Sequence, residues 1–219
     1  TTGEQIYIGE VTLQNETTLT GSNLTFNNII TGDQTLTLNP SGVTTFNQSV
    51  SIGGLISNGS LQVNTDTITT TGEQTYSGDV TLQTDTTLTG SNITFNDTVS
   101  GNNISLTLQP TDSNTAIGIG SGEGTFNLDN TSLNNLQDGF TSIIIGRADG
   151  SGVINIGNAT FNDPVTLRSP NGLITVDAPI TGQDNTSITF NSPTILNANV
   201  TTIGDQVYLD TVTLNTDSS

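Results

Sequence analysis

The sequence predicts an all-β chain wound as a right-handed parallel β-helix, a solenoid of about ten coils of roughly 22 residues with almost no helix. Three observations lead to this prediction. Residues 2–27 recur as residues 71–96 with 20 of 26 positions identical, and a partial third copy occupies residues 204–217. Short apolar–polar–apolar triplets separated by turn residues fill the chain. The composition is rich in Thr, Ile and Val, whose branched side chains favour strands.

The triplets have the period-two pattern of a strand with one buried face. They run through the whole chain, for example at residues 11–13, 24–26, 36–38, 80–82, 93–95, 106–108, 154–156, 165–167, 174–176 and 188–190. Gly, Asn, Asp, Ser or Pro separates them every few residues, as turns require. Strands of three to five residues are short for a sandwich, where about five or six is usual. They fit a solenoid, in which each strand pairs with the coils above and below.

The spacing of the repeats gives an expected coil length. The copies are offset by 69 and 132 residues, and division by three and six coils gives about 23 and 22 residues per coil. Ten coils at about 4.8 Å each predict a rod on the order of 50 Å long. Right-handed winding follows from the general preference of parallel crossover connections. Residues 133–136 are the one stretch whose pattern is ambiguous between helix and strand.

Residues 1–219 are therefore interpreted as a single β-solenoid segment. Because the third copy is incomplete, we expect the segment to belong to a longer chain or to a polymeric assembly. Coils without caps expose backbone donors and acceptors, which favour head-to-tail pairing with the same kind of coil. The expected partners are thus a second copy of the chain or the rest of a larger chain.

The charge excludes several classes of function. Twenty Asp and Glu residues stand against two basic residues, for a formal net charge of −18. No basic cluster exists to displace phosphate counterions, so we expect no binding of nucleic acid, and anionic membrane surfaces are disfavoured. No segment approaches the roughly 18 apolar residues of a membrane span, so we expect no membrane insertion. The absence of Cys fits an exported protein as well as a cytosolic one.

The composition also removes most catalytic chemistry. The chain has no His, Cys or Lys, which excludes Ser–His–Asp, thiolate and Lys-based mechanisms. A carboxylate pair that acts on glycans stays open as the enzyme alternative. The acids, however, fall mainly at turn positions such as Asp33, Asp66, Asp138 and Asp149, where Asx-turn chemistry explains them. We therefore expect no enzyme, no catalytic residue and no cofactor.

Calcium is the one metal that the composition leaves open. Zinc and iron sites need His or Cys, whereas calcium needs only oxygen ligands. Glu123 and Asp149 lie in the glycine-rich segments 120–124 and 149–152 and are the candidates for weakly bound surface calcium. Glycine-rich corners explain the same segments without a metal, and this interpretation is favoured.

The two basic residues and the three tyrosines are the remaining candidates. Arg147 and Arg168 are 21 residues apart, so we expect them to stack on one face with Asp149 and Asp163 as their carboxylate partners. A structural ion-pair cluster is favoured, and an anion-binding pair for uronate sugars is the alternative.

Tyr7, Tyr76 and Tyr208 hold equivalent positions in the three copies of the repeat. We expect each to be a rim residue that covers the adjacent coil, with carbohydrate stacking as the alternative. Thr-x-Thr pairs such as Thr18/Thr20 and Thr87/Thr89 raise the alternative of a lateral Thr/Asn/Asp face that binds glycans or ice. Simple strand propensity explains these pairs as well.

Residues 70–97 resemble the repeats of very large bacterial surface proteins of the filamentous-haemagglutinin type. Residues 136–156 are similar to repeats in cyanobacterial giants of that kind, and the resemblance covers most of the chain. It implies a right-handed parallel β-helix, export by partner secretion and an adhesive or filament-forming role. We therefore predict a structural or adhesive module of a secreted protein at the bacterial cell surface or of an extracellular filament. Such a module would act as a stiff rod whose outer partners are extracellular glycans.

Overall fold

A computed structural model describes residues 1–215 of the chain, so residues 216 and 217 of the third repeat lie outside the described part. Residues 1–215 form thirty short strands and one helix. In chain order these are β1 (Gln5–Tyr7), β2 (Val11–Leu13), β3 (Thr17–Gly21), β4 (Leu24–Phe26), β5 (Ile30–Gly32), β6 (Thr35–Pro40), β7 (Val43–Phe46), β8 (Val50–Ile52), β9 (Gly54–Ser57), β10 (Ser60–Val63), β11 (Thr67–Thr70), β12 (Gln74–Tyr76), β13 (Val80–Leu82), β14 (Thr86–Gly90), β15 (Ile93–Phe95), β16 (Val99–Gly101), β17 (Ser105–Pro110), β18 (Ile117–Ile119), β19 (Phe126–Leu128), α1 (Asn130–Asn135), β20 (Ser142–Gly146), β21 (Val153–Ile156), β22 (Ala159–Phe161), β23 (Val165–Arg168), β24 (Leu173–Val176), β25 (Ile180–Gly182), β26 (Ile188–Asn191), β27 (Thr194–Leu196), β28 (Val200–Thr201), β29 (Gln206–Tyr208) and β30 (Val212–Leu214).

The strands stack into three faces of a parallel β-solenoid of about 11 turns, which confirms the predicted fold class. Face I consists of a six-stranded sheet, β1-β4-β7-β10-β13-β16, and a three-stranded sheet, β22-β25-β28. Face II is one ten-stranded sheet, β2-β5-β8-β11-β14-β17-β20-β23-β26-β29. Face III consists of a five-stranded sheet, β3-β6-β9-β12-β15, and a six-stranded sheet, β19-β18-β21-β24-β27-β30. Right-handed winding stays a prediction.

The core is a set of ladders in which each inward side chain covers its equivalent in the next coil. The ladder of face II runs without a break through all ten strands, because the inward residues pair in register from coil to coil. Its members are Val11, Ile30, Val50, Ile68, Leu88, Leu108, Ile145, Leu167, Phe190 and Tyr208, of which all but the first and last are buried. Burial of this apolar surface is the main term that stabilises the rod.

Asparagine amides form short ladders at the corners between faces. Asn64 Nδ2 donates to Asn47 Oδ1 at 2.6 Å, and Asn47 Nδ2 donates to Asn27 Oδ1 at 2.8 Å. Each amide both donates and accepts, so equivalent corners of successive coils are linked along the axis. This agrees with the turn role that the sequence assigns to Asn.

The three copies of the repeat lie on different faces. The Gln-x-Tyr strand is β1 on face I in the first copy, β12 on face III in the second and β29 on face II in the third. Since β1 and β12 are eleven strands apart, the 69-residue offset spans three and two-thirds coils. The division of that offset by three whole coils is therefore wrong. Each copy is instead turned by one third of a coil around the rod.

Coil length also varies along the chain. On face II, Val11 pairs with Ile30 and Ile30 with Val50, offsets of 19 and 20 residues. After β20 the offset rises, and Ile143 pairs with Val165, 22 residues on. One coil is much longer, because Leu106 of β17 pairs with Ile143 of β20 across 37 residues. The expected length of roughly 22 thus averages short coils and one insertion.

The insertion makes the chain step backwards along the rod axis. On face III the order is β15, β19, β18, β21, so β18 lies beyond β19 although it precedes it in the chain. Six residues, 120–125, connect these two parallel strands, where about a dozen are usual. Glycine permits this tight return: a Cβ on Gly124 would lie 2.1 Å from the Gly118 nitrogen, and Gly120 has a φ of +65°.

Helix α1 follows the return and takes the place of a strand at the corner of faces III and I. Its N-cap is Asp129, whose side chain accepts a hydrogen bond from the Ser132 N–H at 2.8 Å. Ser132 and Asn135 bond to the Phe95 backbone, and Leu136 then bridges to Val99 of β16. The ambiguous residues 133–136 thus overlap the end of α1, which is the only helix in the part of the chain that the structure describes.

Candidate functional site

The carboxylates of the rod lie outside its strands and, except for Glu123, at its corners. Every Asp and Glu of residues 1–215 lies outside the strands. Some of them accept backbone N–H groups: Asp97 Oδ1 accepts from the adjacent Thr98 N–H at 2.8 Å, and Asp85 Oδ1 accepts from the Ser105 N–H of the next coil at 2.8 Å. The predicted turn positions of Asp33, Asp66, Asp138 and Asp149 are confirmed. The flat faces carry mainly neutral side chains.

One outward file of five side chains lies on face III, beside two hollows. Pairing in register places Thr18, Thr37, Ile56, Thr75 and Thr94 on successive coils. Ile56 is 37% exposed, and hollows of about 430 and 240 Å³ lie along the file on either side of it. The file combines hydroxyl groups with one apolar contact point, which suits an elongated polar ligand. Ile56 was missed in the sequence, although a second apolar residue directly after Leu55 breaks the strand alternation.

The return loop limits how far this file extends. Residues 121–124 cross the outside of face III: Asn127 Nδ2 donates to the Gly122 oxygen at 3.2 Å, and Asn155 Nδ2 donates to the Glu123 oxygen at 2.8 Å. The loop lies over Gly118, where a Cβ would meet the Gly122 oxygen at 2.5 Å. The glycine-rich segment 120–124 is thus explained by close backbone contacts. Directly beyond Thr94, the loop covers the outer side of β19, β18 and β21.

The two arginines share a corner between faces II and III, but they are not equivalent. Arg147 makes a bidentate ion pair with Asp149, Nε to Oδ1 at 2.8 Å and Nη2 to Oδ2 at 3.0 Å. Its Nη1 donates to the backbone oxygens of Thr111 at 3.0 Å and Pro110 at 3.3 Å. The hydrogen bond from Arg147 is the main cause that lowers the pKa of Asp149. Arg147 therefore closes the corner at the long coil.

Arg168 pairs in register with Gly146, one residue before Arg147, and its Nη2 donates to the Gly146 oxygen at 3.2 Å. Its Nε is buried without a hydrogen-bond partner, and burial lowers the pKa of the guanidinium. Asp149 also acts on Arg168 through its charge. The structure thus brings together three of the four residues predicted as one cluster.

Asp163 does not belong to that cluster, and its predicted pairing with the arginines is wrong. It precedes β23, whereas Arg168 ends the same strand, so the two lie at opposite corners of face II. Asp163 is only 3% exposed, and its Oδ1 accepts the Gly139 N–H at 3.0 Å. Burial is the main cause that raises the pKa of Asp163, and the charge of Asp138 adds to it. Its Oδ2 has no hydrogen-bond partner.

Each of the three tyrosines donates a hydrogen bond to the glutamine two residues before it. Tyr76 is 1% exposed, and its hydroxyl donates to Gln74 Oε1 at 2.7 Å. Gln74 Nε2 in turn donates to the Thr89 oxygen at 2.8 Å, so the amide ties two coils together. Burial raises the pKa of Tyr76 far above its ordinary value. Glycan contact is therefore ruled out for Tyr76, which lies inside the rod and not at its rim.

Tyr7 and Tyr208 repeat this arrangement in the first and last described coils. Tyr7 donates to Gln5 Oε1 at 2.7 Å and Tyr208 to Gln206 Oε1 at 3.0 Å. Each ring stacks on a phenylalanine of the neighbouring coil, with centroids 4.7 Å apart for Tyr7–Phe26 and 4.8 Å apart for Tyr208–Phe190. Both tyrosines are half-buried. The glutamine partner was missed in the sequence, although all three copies share Gln-x-Tyr.

The calcium candidates predicted from sequence do not form one site. Both oxygens of Asp149 accept hydrogen bonds from Arg147, so a calcium ion there would compete with this ion pair. Glu123 lies in the return loop on face III, on another side of the rod. Within residues 1–215, no group of three or more His, Cys, Asp or Glu side chains is arranged to hold a metal ion.

Comparisons with protein-family models, with curated proteins and with solved structures gave no match to this chain. Over the same described residues, no helix has the length and apolar character needed to cross a membrane.

Proposed function

We propose that the chain is a structural module of a secreted bacterial surface protein or extracellular filament. It acts as a stiff rod that joins end to end with further coils, either of the same chain or of a second copy. The resemblance to filamentous-haemagglutinin repeats supports a location at the bacterial surface and a role in adhesion. The proposal requires no active site.

The observation that carries the proposal is the different burial of equivalent residues in the three copies. Tyr76 has coils on both sides and is 1% exposed, whereas Tyr7 and Tyr208 have a described coil on one side and stay half-buried. Leu214 of the last described coil is 61% exposed, whereas its equivalent in the second copy, Leu82, is 2% exposed. A further coil of the same kind would bury these groups as the internal copy is buried.

The backbone of the first coil is suited to such pairing. Gln5 N–H donates to the Asn23 oxygen, and Asn27 N–H donates to the Tyr7 oxygen, so Gln5 and Tyr7 use their backbone groups toward β4. In a parallel ladder the intervening residue points the other way. The N–H and C=O of Ile6 therefore face the outer side, where an incoming strand can bond to them.

The experiment is sedimentation velocity of the purified chain over a concentration series, with Ile6→Pro as the test variant and Ile6→Val as its control. Proline removes the outward N–H and blocks an incoming strand without removing a bond to β4. Association should grow with concentration and with salt, because salt screens the repulsion between chains of charge −18. It should be lost in Ile6→Pro and kept in Ile6→Val. Equal association of both variants would contradict stacking through β1.

A second candidate function is recognition of glycans or ice by a lateral face, favoured by the in-register file from Thr18 to Thr94. A glycan array and a thermal-hysteresis assay test it, with Ile56→Asp as the variant that disrupts the middle of the file. Binding that Ile56→Asp abolishes would favour this candidate. Blank results in both assays would remove it.

A further inference from the structure

We propose that the pocket at the corner between faces I and II binds one calcium ion. This acidic corner pocket has a volume of about 340 Å³, and its oxygen-bearing lining residues are Asn103, Asp138, Asn162, Asp163, Asp184 and Asn185. They come from the corners of four successive coils, before β17, β20, β23 and β26. None of them belongs to the calcium candidates that the sequence suggests.

Charge is the first argument for a cation. Three carboxylates line one pocket in a chain whose two basic residues, Arg147 and Arg168, lie at the opposite corner of face II. Asp138 lies close enough to act on Asp163 through its charge. No positive side chain is therefore available to offset these carboxylates.

The second argument is the buried carboxylate of Asp163. Its Oδ1 is satisfied by the Gly139 N–H at 3.0 Å, whereas its Oδ2 is buried and has no donor. A buried charged oxygen without a partner is costly, and such groups are normally paired or bound to a metal ion. Asp163 is 3% exposed and lines the pocket, so its unpaired Oδ2 indicates that a ligand binds there.

The oxygen-only chemistry selects calcium. Transition metals favour His or Cys ligands, which the chain lacks. Calcium accepts carboxylate, amide, backbone carbonyl and water oxygens in flexible geometry, whereas magnesium needs a near-ideal octahedron. The adjoining carboxylates of Asp138 and Asp163 are the central ligands, and amide, backbone and water oxygens complete the shell.

The test is calorimetric titration of the chain with CaCl2 after chelator treatment, together with thermal unfolding. We expect one ion per chain and, at a hundredfold excess over the dissociation constant, a Tm rise of about 5 °C or more. Asp163→Asn and Asp138→Asn should each weaken binding at least tenfold. Asn at 163 can still accept the Gly139 N–H, so this variant keeps the corner bond.

Asp97→Asn is the matched control, because Asp97 is an exposed corner acid that also caps a backbone N–H. It should bind calcium like the parent chain, and so should Asp149→Asn. Absence of binding heat in the parent would overturn the proposal and would leave a shared proton as the partner of the Asp163 carboxyl. Binding that survives in both Asp138→Asn and Asp163→Asn would also overturn it. So would a Tm rise that NaCl of matched ionic strength reproduces, because that rise would come from charge screening.

Discussion

Replacement of Tyr76 by Phe tests the internal anchor of the repeat. The change removes one oxygen and keeps the ring, whose centroid lies 5.3 Å from that of Phe95. The Tyr76 hydroxyl donates to Gln74 Oε1 at 2.7 Å, and both side chains are essentially inaccessible to water. After the change, Gln74 Oε1 is buried without a donor, while the Gln74 Nε2 still bonds to the Thr89 oxygen.

The cost follows from that orphaned acceptor. A buried polar atom that loses its partner destabilises a fold by about 1–3 kcal/mol. For a chain of this size each kcal/mol lowers Tm by about 2–4 °C, so we expect a fall of about 4–8 °C for a central value of 2 kcal/mol. Tyr208→Phe is the internal control, because Tyr208 and Gln206 are partly exposed and water can replace the lost donor. That variant should cost less than about 0.5 kcal/mol.

Differential scanning calorimetry of the two variants and the parent measures both effects under one buffer condition. A Tyr76→Phe variant that unfolds within 1 °C or so of Tyr208→Phe would refute the reasoning, since burial would then not determine the cost of losing the hydroxyl. The expected order is parent, then Tyr208→Phe close below it, then Tyr76→Phe clearly lowest.

Three further predictions follow from the same contacts. Burial raises the pKa of Tyr76 above that of an unfolded tyrosine. The contribution of Tyr76 to stability is therefore complete below about pH 10 and falls as the pH rises further. Urea midpoints measured above about pH 10 should fall less steeply with pH in Tyr76→Phe than in the parent. Gly124→Ala should lower the free energy of unfolding by about 2–3 kcal/mol in chemical denaturation, because its Cβ would lie 2.1 Å from the Gly118 nitrogen. Gly9→Ala is the control: nothing lies within 4 Å of the added atom, so the change should be less than about 0.5 kcal/mol. Arg147→Leu should lower Tm because it leaves the Pro110 and Thr111 oxygens without their donor, and Asp149→Asn should lower it less; equal effects would mean that only the ion pair matters.

The fold could be predicted from the sequence because its signals are local and repeated. Apolar–polar–apolar triplets and turn residues determine where each strand lies, and Leu24–Phe26 or Val165–Arg168 is found where the pattern places it. Coil length was harder to predict. Two copies of a repeat that lie eleven strands apart are as similar in sequence as two copies that lie a whole number of coils apart. The sequence repeat reports similar strands, and it does not report which face they occupy.

Long-range proximity at the corners could not be predicted. The 21-residue spacing correctly brought Arg147 and Arg168 to one corner, because that spacing is close to one coil. Asp163 was misplaced, because the few residues between it and Arg168 are strand β23 itself, which places the two side chains at opposite ends of the strand. The return at residues 120–125 has only its glycines as a signal, and those are shared with ordinary turns.

The most direct test of end-to-end stacking is cryo-electron microscopy of the purified chain at high concentration and in moderate salt. The proposal predicts rods joined at their ends, with the strand spacing of about 4.8 Å continuing through each junction. Separate particles of about 50 Å at every concentration, or rods that associate only side by side, would contradict it.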